Sequence, residues 1–220
     1  MISTNDTELF RLLRERLFSA IIGDVLDLHG YRDQFLPPEC RPLRADMVVC
    51  GRAMTVHEID VNERSDPPFG LMLKALDSLE ENEVYVAAGG SPRYALWGEL
   101  MSSAARARGA AGAVLAGYTR DTHGILAMDF PVFCYGSYAQ DQRGRGRVVD
   151  FRSALNIGNV QVRPGDIVFG DVDGVVVLPR EVETEIVQEA LEQVRKEKTA
   201  KRLLCEGAPA ERVFTEMGVL

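Results

Sequence analysis

The sequence is poor in the features that tie a chain to metal scaffolds, membranes or nucleic acid. It has four scattered cysteines, Cys40, Cys50, Cys134 and Cys205, with no CxxC pair, and only three histidines. Such spacing argues against a disulfide framework and a structural zinc site, and it predicts a reduced, cytoplasmic chain. No apolar run reaches the ~18 residues of a membrane-spanning helix. The opening stretch MISTNDTELFRLLRERLFSAIIGDVLDLHG carries acids early and charges throughout, unlike a secretory leader. A basic excess is missing too: the net charge is −8, which excludes a general nucleic-acid binder and suits small polar ligands. Without repeats, low-complexity tails or long linkers, one domain over 1–220 is expected. It would hold N-terminal helices at 7–29, a core at 47–179 and a C-terminal helix at 181–205.

What the sequence does contain is patterning. Leu9, Phe10, Leu12, Leu13, Leu17 and Phe18 mark an amphipathic helix, and SAIIGDVLDLH a second one stopped by Gly30. MVVCGRAMTVHEI reads as strands broken at Gly51, FGLMLKALDSL as a helix and NEVYVAA as a strand. YALWGELMSSAARARG reads as a loop feeding a helix that Gly109 stops. AGAVLAG and FPVFCYG follow as buried strands, with YTRDTHGILAMD between them as a turn and short helix. YAQDQRGRGRVVD reads as an Arg-rich loop. Asp173-Gly174 marks a hairpin, and Glu181 to Cys205 a long helix. Helices and strands alternate in the middle and hairpins gather late, so the fold class is α/β or α+β with a mixed sheet.

Two places carry chemistry. The glycine-rich approach AAGGSPRYALWG leads to a helix start at Gly98-Glu99. Free backbone N–H groups and the helix dipole favour anions there, although an acidic Glu99 also simply complements the dipole. Arg120-Asp121 follows an apolar strand, where loops commonly carry ligand-binding groups. Arginine offers a planar fork for a carboxylate, and aspartate offers hard oxygen for Mg²⁺. A salt bridge fixing the turn is the plainer alternative.

Twenty residues separate Glu99 from Arg120 in GELMSSAARARGAAGAVLAGYTRD, and a helix plus a strand in that interval would return the chain to the same edge. With ALWGEL, PVF and RPGDIVFGDVDGVVVLPRE, this spacing resembles the RraA-like proteins and the class II pyruvate aldolases that share their fold. That group includes 4-hydroxy-4-methyl-2-oxoglutarate / 4-carboxy-4-hydroxy-2-oxoadipate aldolase. The resemblance runs from about Gly23 to the end of the chain.

The resemblance implies a single α/β/β/α sandwich with mixed sheets. It implies Mg²⁺ or Mn²⁺ held by Asp121, with Glu99 reaching the metal through water. Arg120 would hold the substrate carboxylate, helped by backbone amides of Gly98, Glu99, Leu100 and Met101. The metal would act as a Lewis acid on a 2-oxo group, so that a 4-hydroxy-2-oxo acid is cleaved to pyruvate, and oxaloacetate decarboxylation would share that chemistry. Such sites lie between subunits of a homotrimer or hexamer, and Glu197 is the candidate glutamate contributed by a neighbouring subunit. Glu99 stands where the best-known aldolases have Asp, and Thr122-His123-Gly124 follows where many relatives carry another acid. The RraA branch itself implies an alternative, a non-catalytic protein that regulates ribonuclease E by contact. A methyltransferase reading fails because no glycine-rich strand–turn–helix is followed by a ribose-binding acid.

Other features carry less. GDVDG has metal-like spacing but reads as a hairpin turn. Arg143, Arg145 and Arg147 could grip an anion or lie in a solvated loop. His123 is taken as exposed, Asp24 as a surface residue and Trp97 as packing. The loops at 62–69 and 138–147 are candidates for shaping a pocket.

Overall fold

A computed structural model describes residues 5–63 and 67–218. In chain order it contains α1 (Asp6–Arg16), α2 (Ser19–Leu28), β1 (Arg41–Pro42), β2 (Val49–Asp60), α3 (Met72–Asp77), β3 (Glu83–Ala88), β4 (Ala95–Trp97), α4 (Glu99–Ala107), β5 (Gly112–Leu115) and β6 (Tyr118–Thr119). There follow α5 (Thr122–Ala127), β7 (Val132–Cys134), β8 (Gly146–Phe151), β9 (Leu155–Ile157), β10 (Val160–Val162), β11 (Ile167–Asp171), β12 (Gly174–Leu178), α6 (Glu183–Cys205) and α7 (Ala210–Met217). No helix among the described residues is long and apolar enough to cross a membrane.

The main sheet has eight strands in the order β1-β7-β5-β3-β2-β11-β12, with β8 also paired to β2. Strands β2, β3, β5 and β7 run parallel, while β1, β8, β11 and β12 join antiparallel. This is the mixed α/β architecture that the alternating pattern predicts. Strand side chains alternate between faces, so one sheet supports two cores. On β3, Tyr85 and Ala87 pack toward α3 and α4, whereas Val84, Val86 and Ala88 pack toward β9 and β10. On β11, Ile167 and Phe169 lie under α1, α2 and α6.

Arg52 on β2 ties these layers together. Its side chain is 14% exposed and ion-pairs with Asp6 of α1 at 2.7 Å and with Glu183 at the start of α6. It also lies 5.4 Å from the Phe10 ring centroid. The bond from Arg52 holds the Asp6 carboxyl below its ordinary range.

Three expectations about elements change, and one helix, α7, is added where none is expected. MVVCGRAMTVHEI is not broken at Gly51: β2 runs through it as one twelve-residue strand. A Cβ on Gly51 would overlap the Asn82 carbonyl oxygen, so this glycine marks a close approach of backbones and not an end. Ala95–Trp97, read as loop, is a strand because it pairs with β6. The end of the Arg-rich loop is strand β8, drawn into the sheet by β2. A short helix, α7, packs Val213 against Ala200 of α6. The Asp173-Gly174 hairpin forms as expected, with Asp171 opposite Gly174. Part of the 62–69 loop lies outside the described residues.

Candidate functional site

The site is made by a small ribbon beside the main sheet. Strands β4 and β6 pair in parallel, Ala95 opposite Tyr118 and Trp97 opposite Thr119. Each leads directly into a helix, α4 or α5, so both helix starts lie at one end of the ribbon. That explains the twenty-residue spacing: the chain leaves along α4, crosses β5 and returns on β6. Arg120 therefore does not sit on the loop directly after β5. It follows β6, where its N–H donates to the Trp97 carbonyl at 3.0 Å.

The close approach depends on glycine. A Cβ on Gly98 would fall 2.8 Å from Asp121 Oδ2 and 3.4 Å from Arg120 Cγ. Gly98 also caps α4 without any side-chain bond, leaving the first backbone N–H groups of that helix facing the ribbon end. Asp121 caps α5 with φ 56° and ψ 32°, a left-handed conformation that Asp tolerates better than most residues. Across the turn, a Cβ on Gly124 would overlap the Glu99 carboxylate, so Glu99 reaches over the first turn of α5. Gly124→Ala should swing Glu99 outward while leaving the fold intact. Because only a flexible carboxylate must move, melting temperature should shift little. Any activity that needs Glu99 should fall to the level of Glu99→Ala, and steady-state kinetics of the two variants side by side would check this.

Trp97 forms the floor. It is 2% exposed, packs against Tyr85 with ring centroids 4.8 Å apart, and donates from Nε1 to Ser102 Oγ at 2.6 Å. Above it opens a cleft of about 300 Å³. Its apolar walls include Phe69, Met72, Leu100 and Met101, and its polar groups are Arg120, Asp121, Asp141 and Gln142. Leu100 is 84% exposed at the rim. Arg120 is held from two sides, Nη1 to Asp141 Oδ1 at 3.1 Å and Nε to Asp121 Oδ2 at 3.5 Å. Its salt bridges fix the turn and also set the plane of the fork at the cleft.

Gly98, Glu99, Leu100, Met101, Arg120 and Asp121 thus come together, while Glu197 lies elsewhere in the same chain. Glu197 lines a separate groove with Phe18, Val194 and Lys201. Burial and nearby Asp24 raise its carboxyl above the ordinary range. Asp24 is exposed and lines neither the cleft nor this groove. His123 is exposed. Arg143 and Arg145 line a polar hollow with Asn62, Glu63 and Arg93, not the cleft itself, although Arg143 lies 5.2 Å from the centroid of the cleft residue Phe69. Arg147 is in β8. GDVDG is a turn: Asp171 accepts from the Ser19 N–H at 2.7 Å and the Ser19 hydroxyl at 2.6 Å, tying the hairpin to α2.

Asp141 and Gln142 are the site residues that sequence reasoning misses. They sit in the 138–147 loop, which is expected to help shape a pocket and does line the cleft, but the sequence does not single them out within it. The one available signal, an acid just before a run of arginines, does not say which arginine it serves.

Asp121 and Glu99 supply hard oxygen donors. No group of three or more His, Cys, Asp or Glu suited to a metal occurs among the described residues. That donor set fits Mg²⁺ or Mn²⁺, which can keep several waters and need few protein ligands; it does not fit a closed zinc site.

Comparison with known proteins agrees with this architecture. The RraA-like family model (Aldolase/RraA) matches residues 19–177. The chain is 29% identical over 196 residues to "Putative 4-hydroxy-4-methyl-2-oxoglutarate aldolase" of Halalkalibacterium halodurans, covering 89% of this chain and 88% of that one. It is 29% identical to Protein DlpA of Legionella pneumophila over 88% of its own length, but spans only 31% of that larger protein. Among solved structures, Streptomyces coelicolor RraAS2, described as an unusual member of the RNase ES inhibitor RraA family, superposes with a TM-score of 0.79 at 25% identity. The match covers 90% of this chain and 98% of that one. With a family model spanning most of its length and the fold to match, the chain belongs to the RraA-like (Aldolase/RraA) family.

Proposed function

We propose that the protein is a divalent-metal-dependent lyase that cleaves a small 4-hydroxy-2-oxo acid to pyruvate, with oxaloacetate decarboxylation as a side activity. The observation that carries this reading is the β4–β6 pairing, which sets Arg120, Asp121 and Glu99 around one end of the ribbon beside an apolar cleft. Asp121 would hold Mg²⁺ or Mn²⁺ directly and Glu99 through water. When bound, that ion supplies Lewis-acid stabilisation of charge developing on a 2-oxo oxygen.

The protein's own groups do the rest. The Arg120 fork, fixed by Asp141, takes the substrate carboxylate in two parallel bonds. The uncapped N–H groups of Glu99, Leu100 and Met101 add donors and the positive end of the α4 dipole. Glu99 takes the 4-hydroxyl proton on a carboxylate oxygen, the bond between C3 and C4 breaks to leave a carbonyl compound and the enolate of pyruvate, and return of that proton to C3 gives pyruvate. Trp97 and Met72 exclude water beneath the reacting carbons. A homotrimer or hexamer is part of this proposal: exposed Leu73 (59%) and Leu100 at the rim suit a second copy covering the cleft and bringing the partner subunit's Glu197 near it.

The test is pyruvate release from 4-hydroxy-4-methyl-2-oxoglutarate and from oxaloacetate, with Mg²⁺ or Mn²⁺ and with EDTA. Turnover should need the metal. Arg120→Lys, which keeps charge but loses the fork, should raise KM by roughly tenfold or more. No turnover on either substrate with either metal would sink the proposal. Likeness to RraAS2 favours a second reading, contact regulation of ribonuclease E. In that case inhibition of the ribonuclease would survive in Asp121→Asn.

A further inference from the structure

A buried carboxyl stands behind the cleft, and the chemistry above does not use it. Glu58 on β2 is 3% exposed, beside a bulge in the β2–β8 pairing. It ion-pairs with no described residue. Its Oε1 accepts from Gln142 Nε2, and Gln142 is itself 4% exposed. The surroundings press close: a Cβ on Gly90 would lie 3.2 Å from Glu58 Cγ.

The stretch that Gln142 belongs to is stitched at three points. The Gln140 carbonyl accepts from the Ala95 N–H at 2.9 Å, which ties it to β4. The Gln142 side chain is held by Glu58. The Gln142 carbonyl accepts from the Arg145 and Gly146 N–H groups at 2.8 and 2.9 Å. Between these stitches lies Asp141, whose carboxylate holds Arg120.

We infer that Glu58 is a positioning residue: through Gln142 it clamps the 140–146 turn, so that Asp141 keeps the Arg120 fork aimed into the cleft. The inference deepens the proposed reaction and rests on Arg120 as the carboxylate holder. It makes the clamp sensitive to alkali. Desolvation pushes the Glu58 carboxyl up to about 8, against the bond from Gln142 that favours its charged form. The groups facing it offer little compensation. Asp60 on its own strand repels the charge, and buried Tyr85 on β3 is neutral. Tyr94 donates to Asp60 at 3.1 Å, and Arg93 is committed to Asp60 at 3.2 Å. Arg145 on the turn donates to the carbonyls of Asp141 and Arg143, and Arg147 on β8 pairs across from Ile59. Ionised Glu58 gains by reaching water, and displacing Gln142 is the way out.

The test compares wild type, Glu58→Gln and Glu58→Leu in two readouts. The first is hydrogen exchange at the Arg145 and Gly146 amides, variants compared at equal pH. Near pH 6.5 wild type and Glu58→Gln should match, because an amide also accepts from Gln142. At pH 9 wild type should exchange about tenfold faster than Glu58→Gln. The second is the pH profile of KM, which should rise above pH 8 in wild type and stay flat in Glu58→Gln, with kcat less affected. Glu58→Leu should show fast exchange and raised KM at every pH; should it fail to fold, the Gln comparison decides alone. Identical exchange in wild type and Glu58→Gln at pH 9 overturns the inference. An exchange difference without any turnover keeps the clamp and removes the reaction, so the two failures are distinguishable.

Discussion

Asp121→Asn is expected to abolish metal-dependent pyruvate release, lowering kcat/KM by about a thousandfold, or ~4 kcal/mol of transition-state stabilisation. The substitution keeps shape and size. Asparagine also tolerates the left-handed φ of 56° that this position requires, so the α5 start should survive. What it removes is the negative charge on the oxygen proposed to hold the cation. Asp121→Ala would confound the result, since a non-glycine residue without a short polar side chain adds strain of about 1 kcal/mol at such a φ. Glu99→Gln should cost less, about a hundredfold, the low end for a proton acceptor, because Glu99 is assigned to reach the metal only through water. Kinetics with Mn²⁺, together with a melting curve for each variant, separate chemistry from folding. An Asn variant within tenfold of wild type would remove Asp121 from the metal role.

The largest effect on stability is expected at Arg52. Arg52→Met should destabilise the fold by about 3 kcal/mol, because it strands partly buried Asp6 and Glu183 without their cation. Methionine keeps much of the stem volume over Phe10, so the loss reads the charge and not a cavity. It also loses the bond to the Gly165 carbonyl at 3.1 Å. The effect has a pH signature. Arg52 lowers the Asp6 carboxyl, so the pair's contribution is fully present above the ordinary Asp value of 3.8 and fades as pH falls below it. The gap between wild type and variant should therefore narrow in acid. Urea unfolding at pH 7 and pH 3 measures both numbers. A loss under ~0.5 kcal/mol at pH 7 would show that solvent already screens this network.

A separate linkage follows from Glu58. Its folded value lies above that of an exposed glutamate, so its contribution is full below the ordinary range, near 4.5, and is lost as pH rises toward about 8. Wild type should lose stability relative to Glu58→Gln across that window. Melting curves of the two proteins from pH 5 to pH 9 would reveal it, and parallel curves would contradict it.

Much of this protein is legible along the chain. The amphipathic stripe of α1, the Asp173-Gly174 hairpin and the strand–helix alternation depend on neighbours a few residues apart, so periodicity and turn chemistry report them directly. The spacing from Glu99 to Arg120 belongs with these, because one helix and two short strands span it. Even there the local pattern misleads where pairing decides. Ala95–Trp97 is too short to announce itself as a strand and becomes one only against Tyr118–Thr119. Gly51 looks like a break and is instead a place where backbones meet.

The partners that finish the site are decided by tertiary structure alone. Asp141 finds Arg120 from a loop that composition marks only as polar, and Gln142 finds Glu58 across 84 positions of sequence. Nothing near Glu58 in HEID predicts its burial, because the pairing of β2 with β8, a strand read as loop, closes over it. By itself the sequence determined most of the elements and the acidic and basic residues at the ribbon end, since these are set by local order. Which carboxylate faces which arginine, and which is shut away from water, follows from strand pairing and packing between distant segments, and only the folded chain brings those segments together.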